Sequence, residues 1–134
     1  MVAHGSASAF RHLLDLNVAF DLGVIAGLEG GSVYVDFQNA DTGVGGLLHG
    51  GYQAYSNIAI DGSITQISQL WYEQWFAGDA VRVKLGKVDA NTEFAYIGAA
   101  GAFINASAGF TPAIFALPTY PNPSTAVNLF VYPT

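Results

Sequence analysis

The chain has 134 residues, the size of one domain, and only 10% of them are charged, against about 25% in typical soluble domains. Its formal net charge of −6 argues against nucleic acid as a partner, and the lack of cysteine excludes a disulfide framework or a thiolate metal site. Sixteen glycines, nine phenylalanines and seven tyrosines accompany the low charge, which is typical of an all-β protein with little aqueous surface or with one face in lipid.

The first predicted elements are a tail and a β-hairpin. Residues 1–12 are low in complexity and predict a disordered tail, without the basic start and apolar core of a signal peptide. From residue 14 onward, apolar and polar residues alternate with the period of two that marks a strand with one apolar face. The glycine-rich residues 27–31 turn the chain, and the alternation then returns. The apolar positions are Leu14, Leu16, Val18, Phe20, Leu22, Val33, Val35 and Phe37, and the polar ones include Asp15, Asn17, Asp21, Tyr34, Asp36 and Gln38.

The next part of the chain is less clearly patterned. Residues 39–51 predict a glycine-rich loop, and because they have neither GxGxxG spacing nor a Walker lysine, a phosphate site is unsupported. Residues 52–60 are a weak strand candidate. Residues 64–76 fit a helical stripe as well as a strand, and the strand is favoured because a hairpin follows.

Three of the four basic residues lie close together in the segment from 71 to 94. Its pattern predicts a hairpin with a turn at 77–79, which sets Trp75 opposite Arg82 and Glu73 opposite Lys84. Such a cross-strand ion pair contributes at most about 1 kcal/mol, too little to explain the cluster. Charged residues gathered with Trp71 and Trp75 on one face indicate a surface for a polar ligand, and an ordinary solvated sheet face is the alternative.

The last 41 residues carry no charged side chain. Residues 94–118 are long enough to span a membrane as a helix, but their glycines and polar residues favour a long loop. Residues 118–123 hold three prolines and predict a rigid, extended segment. A final strand is predicted over residues 127–132, with Val127, Leu129 and Val131 on one face.

Catalytic constellations are poor. His4, His12 and His49 have no spacing of a metal-ligand type, and no GxSxG elbow is present. Asp89 and Glu93 invite comparison with a glycosidase carboxylate pair, but their separation cannot be read from a predicted loop. The chain is therefore expected to be neither an enzyme nor a cofactor protein.

Several blocks of the sequence resemble one family in their order and spacing. They are RHLLDLNVAFDLGVIAGLEGGSVYVDFQ, QISQLWYEQWF, VRVKLGKVDANTEFA, FINASAGFTP and LPTYPNPSTAVNLFVYP. Together they run from about Leu13 to the last residue and are similar to the carbohydrate-selective porins of OprB type. The resemblance implies a channel of the bacterial outer membrane: a sixteen-stranded antiparallel barrel that passes sugars by facilitated diffusion, with no cofactor and no covalent chemistry.

The chain is short for this family, and its pattern yields five or six strands, whereas a membrane barrel needs at least about eight. We therefore expect residues 13–134 to be an N-terminal fragment of a porin barrel, folded as a partial, unclosed antiparallel sheet. The resemblance implies that the apolar faces meet the lipid bilayer and that the polar faces meet a water-filled lumen. A homo-trimer of the full-length parent stays an open alternative.

The resemblance further implies that charged and aromatic side chains at a constriction bind small neutral sugars. The residues expected to line the pore and contact the sugar are Arg82, Lys84, Lys87, Asp89, Asn91, Glu93, Glu73 and Trp75. The alternative from another class is a secreted or cell-surface β-sandwich that binds glycans or serves as a structural module. A sandwich would bury Leu16, Phe20, Val35, Phe37 and Val83 between two sheets, whereas a barrel would leave them outside.

Overall fold

The computed structural model describes residues 10–41, 58, 60, 62–99 and 117–133. Its elements, in chain order, are β1 (His12–Asp21), α1 (Leu22–Ala26), β2 (Gly31–Asp41), β3 (Ser63–Phe76), β4 (Val81–Val88), α2 (Ala90–Phe94) and β5 (Ser124–Val131). The five strands form one sheet in the order β1-β2-β3-β4-β5, and every neighbouring pair is antiparallel. The prediction of an all-β chain with an unclosed antiparallel sheet is confirmed.

The β3–β4 hairpin has the predicted register. Trp75 pairs with Arg82, and Glu73 pairs with Lys84. The chain reverses through Ala77, Gly78 and Asp79, all of which have positive φ angles of 55–70°. The strand interpretation of residues 64–76 is thus confirmed over the helical one.

The first hairpin differs from the prediction at its turn. Leu22 was expected to continue the strand, and it instead begins the short helix α1. The Asp21 carboxylate accepts hydrogen bonds from the backbone N–H of Gly23 at 2.8 Å and Val24 at 3.3 Å, which starts the helix. Gly27 ends it in the left-handed conformation at φ 70°.

Two predicted loops were also wrong in part. Residues 39–41 continue β2, and residues 90–94 form α2, which is capped by the Asp89 side chain. The other residues of the predicted glycine-rich loop, 42–51, lie outside the described residues, as do most of the strand candidate 52–60 and most of the predicted loop 94–118.

The burial of side chains is inverted relative to a soluble protein. Buried polar residues outnumber buried apolar ones among the described residues; they are Asp36, Gln38, Ser68, Glu73, Gln74 and Lys84, against Ala40, Ile60, Val88 and Ala90. The large exposed side chains of the strands are apolar, and they include Leu14, Leu16, Val18, Phe20, Ile67, Leu70, Leu85, Val127, Leu129 and Val131.

The sheet therefore has two unlike faces. The apolar face carries the exposed residues named above together with Val33, Val35, Phe37, Val81 and Val83. The polar face carries Asp15, Asn17, Tyr34, Asp36, Gln38, Trp71, Glu73, Trp75, Arg82 and Lys84. Neither described helix has the length and apolar character needed to cross a bilayer.

The apolar face distinguishes the two architectures considered from the sequence. Leu16 is 55% exposed and Phe20 is 41% exposed, while Val35, Phe37 and Val83 are half-buried. The described strands form a single sheet, so none of these five side chains lies in a layer between two sheets. This arrangement favours a barrel wall over a sandwich.

Candidate functional site

Four charged side chains meet on the polar face and are called the charged cluster: Glu73 on β3, Arg82 and Lys84 on β4, and Glu93 on α2. The Arg82 guanidinium lies 2.6 Å from a Glu93 carboxylate oxygen and 3.5 Å from Glu73. The Lys84 ammonium lies 3.1 Å from Glu73 and also bonds the second oxygen of Glu93. Each cation thus bridges both carboxylates, and the charges of the cluster cancel.

The strand register and one short helix build this arrangement. Alternation along β4 puts Arg82 and Lys84 on one face, and pairing with β3 puts Glu73 directly opposite Lys84. Glu93 comes from α2, one turn after the strand ends. Because Asp89 caps this helix by accepting from the N–H of Asn91 at 2.8 Å, Glu93 is carried back over the sheet.

The charged cluster is shielded from water. The side chains of Lys84 and Glu93 are 7% and 8% exposed, and those of Glu73 and Arg82 are 12% and 16% exposed. Burial alone would raise the pKa of Glu93, but hydrogen bonds to Lys84 and Arg82 and their positive charges lower that pKa below its ordinary value. Glu93 is therefore ionised, and it locks the two cations in place.

Aromatic rings surround the two cations. The Arg82 guanidinium carbon lies 4.0 Å from the ring centre of Phe130 and 5.5 Å from that of Trp75. The Lys84 ammonium nitrogen lies 3.8 Å from the ring centre of Trp71. These distances are those of cation–π contacts. In addition, Trp75 donates its indole N–H to a Glu73 carboxylate oxygen at 3.0 Å, so the rings both shield the charges and hold them.

The rings extend into neighbouring strands by stacking. Trp71 stacks on Tyr34 of β2 with ring centres 5.0 Å apart, and Trp75 stacks on Tyr132, just beyond β5, at 5.5 Å. Phe94, the last residue of α2, stacks on Phe130 at 5.6 Å. The polar face therefore presents aromatic side chains from β2, β3 and the β5 end of the sheet, together with Phe94 of α2, around the charged cluster.

Asp89 connects three parts of the site through its carboxylate. Its carboxylate accepts from the Thr119 hydroxyl at 2.8 Å and from the backbone N–H of Tyr120 at 3.2 Å, in addition to capping α2. The backbone N–H of Ala90 donates to the Pro118 carbonyl at 2.9 Å. Gln66 donates its side-chain N–H to the Pro121 carbonyl at 2.7 Å. Asp89 thereby links the end of β4, the start of α2 and the segment 118–121.

The structure separates Lys87 from the other predicted site residues. Lys87 shares the alternation of Val83 and Leu85, on the apolar face. Its ammonium donates to the Gln66 side chain at 3.0 Å and to the Ile67 carbonyl at 2.7 Å. Among the other seven, Glu73, Arg82, Lys84, Glu93 and Trp75 come together, and Asp89 and Asn91 lie at the start of α2 beside them.

Two aromatic residues at the site were not among the predicted site residues. Phe130 packs on Arg82, and Tyr132 packs on Trp75. The signal was present, because Phe130 alternates with Leu129 and Val131 and so belongs to the face opposite them. Asn91 adds one further feature, since its buried side-chain oxygen has no hydrogen-bond partner.

Comparison with known protein families identifies the class of protein to which this sheet, with its buried polar and exposed apolar side chains, belongs. Residues 7–134 match the family described as carbohydrate-selective porin, OprB family. The chain belongs to this family. No curated protein and no solved structure matches the chain significantly.

Membership of the OprB family accounts for both faces of the sheet. The family comprises transport channels rather than enzymes, and it implies the bacterial outer membrane and carbohydrate transport. Strands of such barrels alternate between apolar residues toward lipid and polar residues toward the lumen. In this OprB chain, the charged cluster and the aromatic rings lie on the face that corresponds to the lumen.

Proposed function

We propose that this chain forms part of the wall of a channel through which small neutral sugars diffuse across the bacterial outer membrane. The observation that carries the proposal is the inverted burial. Counted over whole residues, Glu73 and Lys84 are 9% and 5% exposed, while Val127 and Leu129 are 76% and 65% exposed. In water such a sheet would expose its apolar face and bury its charged side chains, and both would cost free energy. In a bilayer the apolar face is solvated by lipid, and the polar face needs water.

We propose further that residues 13–134 are the N-terminal section of a larger barrel. The outer edge of β1 and the outer edge of β5 have no strand partner among the described residues. In hydrocarbon, each unpaired backbone group costs several kcal/mol, so a spanning sheet must close. Five strands fall short of the smallest membrane barrels, which have about eight, and further strands must therefore complete the wall.

A sugar in this channel would exchange water hydrogen bonds for bonds to fixed groups on the wall. Arg82 and Lys84 supply donors, Glu73 and Glu93 supply acceptors, and Asn91 supplies both. The charges of the cluster cancel, so the wall offers strong hydrogen bonds without a net field at this point. That combination favours a neutral polyol over an ion of either sign, and weak binding lets the sugar leave.

The test is the block of single-channel current by added glucose in the complete barrel. We expect the double variant Arg82→Ala plus Lys84→Ala to lose most of the sugar block, because both donors of the cluster are gone. The matched control is the exchange Arg82→Lys plus Lys84→Arg, which keeps both charges and is expected to retain more of the block.

Only channels that open are scored, so a folding defect is not read as lost binding. If the double alanine variant opens and glucose blocks it as in the wild type, these two residues do not belong to the sugar site. If neither variant shows any change while the wild type is blocked, the site lies elsewhere in the lumen.

A further inference from the structure

A second polar group lies on the polar face, on β1, β2 and the beginning of β3, and is called the acidic patch: Asp15, Asp36, Gln38 and Ser68. Asp15 pairs directly with Gln38, and Asp36 lies two residues before Gln38 on the same face of β2. Ser68 sits at the irregularity where the β2–β3 register shifts. The patch is made of other residues than the charged cluster, and the proposed sugar site does not use it.

Two buried oxygens of this patch have no hydrogen-bond partner: Oδ1 of Asp36 and Oε1 of Gln38. Asp36 is 5% exposed and Gln38 is 9% exposed. The other Asp36 oxygen, Oδ2, accepts the hydroxyl hydrogen of Ser68 from the β3 side. Ser68 holds the carboxylate from the β3 side, and Asp15 lies on β1, on the other side of β2. Gln38 donates its side-chain N–H to Asp15, which leaves its carbonyl oxygen as a free acceptor.

The patch contains two carboxylates and no cation. The whole chain has four Lys and Arg residues. Arg82 and Lys84 form ion pairs with Glu73 and Glu93. The Lys87 ammonium donates to the Gln66 side chain and the Ile67 carbonyl on β3. Arg11, the fourth, lies four residues before Asp15 in the chain, about 13 Å away along an extended strand. The salt bridges of Arg82 and Lys84 reach neither Asp15 nor Asp36.

We propose that the acidic patch binds a hard divalent cation, with Ca²⁺ as its chemical type. Asp36 Oδ1, Gln38 Oε1 and the Asp15 carboxylate are the oxygen ligands, and water or backbone carbonyls complete the shell of six to eight oxygens that Ca²⁺ takes. The charge of the cation balances the two carboxylates. Since no three Asp, Glu or His side chains converge among the described residues, the amide oxygen has to serve as a ligand.

The unpartnered oxygens of Asp36 and Gln38 are closed to water. A bare metal ion is smaller than water and bonds oxygen at about 2.4 Å.

The test is terbium luminescence of the complete barrel in detergent micelles, with Ca²⁺ as the competitor. Tb³⁺ takes the oxygen ligands of Ca²⁺, and Tyr34 lies two residues before Asp36 on the same face, about 7 Å away along the strand, so it can sensitise the emission. We expect Tb³⁺ emission that is excited through Tyr34. Ca²⁺ should displace Tb³⁺ and abolish this emission, whereas a 100-fold higher concentration of K⁺ should not.

Three variants determine whether the acidic patch is responsible. Asp36→Asn should weaken Ca²⁺ binding by tenfold or more. Gln38→Glu should tighten it, because an amide oxygen becomes a carboxylate, and a gain in affinity does not arise from misfolding. The control Asp79→Asn removes one carboxylate from the exposed β3–β4 turn and should leave the affinity unchanged. Equal affinity in the wild type and Asp36→Asn, or no tightening in Gln38→Glu, would overturn the proposal.

Discussion

Glu93 is the one carboxylate of the charged cluster that does not come from a strand. Its two oxygens hold Arg82 and Lys84 separately, and its side chain is 8% exposed. Without it, two shielded cations would share the single carboxylate of Glu73. Removal of one partner from a buried ion pair generally costs more than the pair contributes, because the remaining charge stays buried. The stability of the site should therefore depend on Glu93 more than on any other single charge.

Replacement Glu93→Gln should lower the free energy of unfolding by about 3 kcal/mol, measured by urea unfolding from lipid vesicles near neutral pH. Because the pKa of Glu93 is lowered by folding, its contribution is fully present above its unfolded value of 4.5 and is lost as the pH falls below that value. Wild-type stability should thus decline below pH 4.5 more steeply than that of the variant. Parallel acid profiles for the two proteins would contradict this role of Glu93.

Gly86 is a second position where one residue decides the local structure. It lies within β4 with φ at 135°, and a Cβ atom there would lie 2.2 Å from the Leu70 carbonyl oxygen and 2.7 Å from the Trp71 Cα. Both are backbone atoms of β3, so neither can move aside without disturbing the pairing that aligns Trp71 and Lys84. Only glycine permits this close approach.

Gly86→Ala should therefore destabilise the sheet by more than about 2 kcal/mol, since both the clash and the backbone conformation oppose it. The matched control is Gly78→Ala in the β3–β4 turn, where φ is also positive at 62° but no atom lies within 4 Å of the added Cβ. The control should cost only about 1 kcal/mol. Urea unfolding of both variants tests the difference, and equal losses would show that the close contact with β3 is unimportant.

At the level of single residues, the sequence predicted the side-chain contacts that local strand pairing determines. The turn at 77–79 fixed which side chains face each other, so the Glu73–Lys84 and Trp75–Arg82 pairs followed directly. Contacts between residues that are farther apart in the sequence could not be predicted in this way. Neither the bond between Arg82 and Glu93 nor the packing of Phe130 on Arg82 can be read from alternation, because each depends on where a later segment returns.

Among the elements, α2 is the one that places a charge on the polar face from outside the strands. It has five residues and no independent stability, since helices so short are marginal in water. Asp89 fixes it by capping its first turn and by bonding Thr119 and Tyr120. The position of Glu93 in the cluster therefore depends on a residue that does not touch either cation.

Asp89→Ala should cost about 1–2 kcal/mol through the lost cap alone, and it should also loosen the segment 118–121. Asp89→Asn is the matched control, because asparagine caps helices as well as aspartate does and can still accept a hydrogen bond. Amide hydrogen exchange should quicken at Asn91 and Tyr120 in the alanine variant and change much less in the asparagine variant. If exchange at Tyr120 is unaffected by alanine, Asp89 does not hold that segment.

The two short helices mark the limit of prediction at the element scale. An alternating pattern of period two identified β1 up to Asp21, but five residues are too few for a helical period to emerge in α1 or α2. The end signals were nevertheless in the sequence, since Asp21 and Asp89 stand at N-cap positions and Gly27 at the C-terminal end of α1. Capping residues are informative here where periodicity is not.

For the whole molecule, alternation alone leaves the solvent of each face undetermined. The apolar residues Leu14 to Phe20 on β1 fit a barrel wall or one layer of a sandwich equally well in sequence. The structure supplies the missing observation, because most large residues of the apolar face are exposed and most of the buried residues are polar. Membership of the OprB family then gives lipid as the solvent of the exposed face.

A pair of adjacent substitutions on β1 tests this assignment of faces. Leu16 lies midway along the apolar row of β1 and is 55% exposed, and Asn17 is its neighbour on the polar face. Leu16→Arg should destabilise folding into lipid vesicles by about 2–4 kcal/mol, because that is the cost of arginine near the bilayer midplane. Asn17→Arg introduces the same charge on the face toward water and should cost less than about 1 kcal/mol. In a water-soluble sheet with an exposed apolar face, Leu16→Arg would instead be neutral and would improve solubility. The sign and size of the difference between the two variants, measured by urea titration, therefore decide whether lipid covers this face.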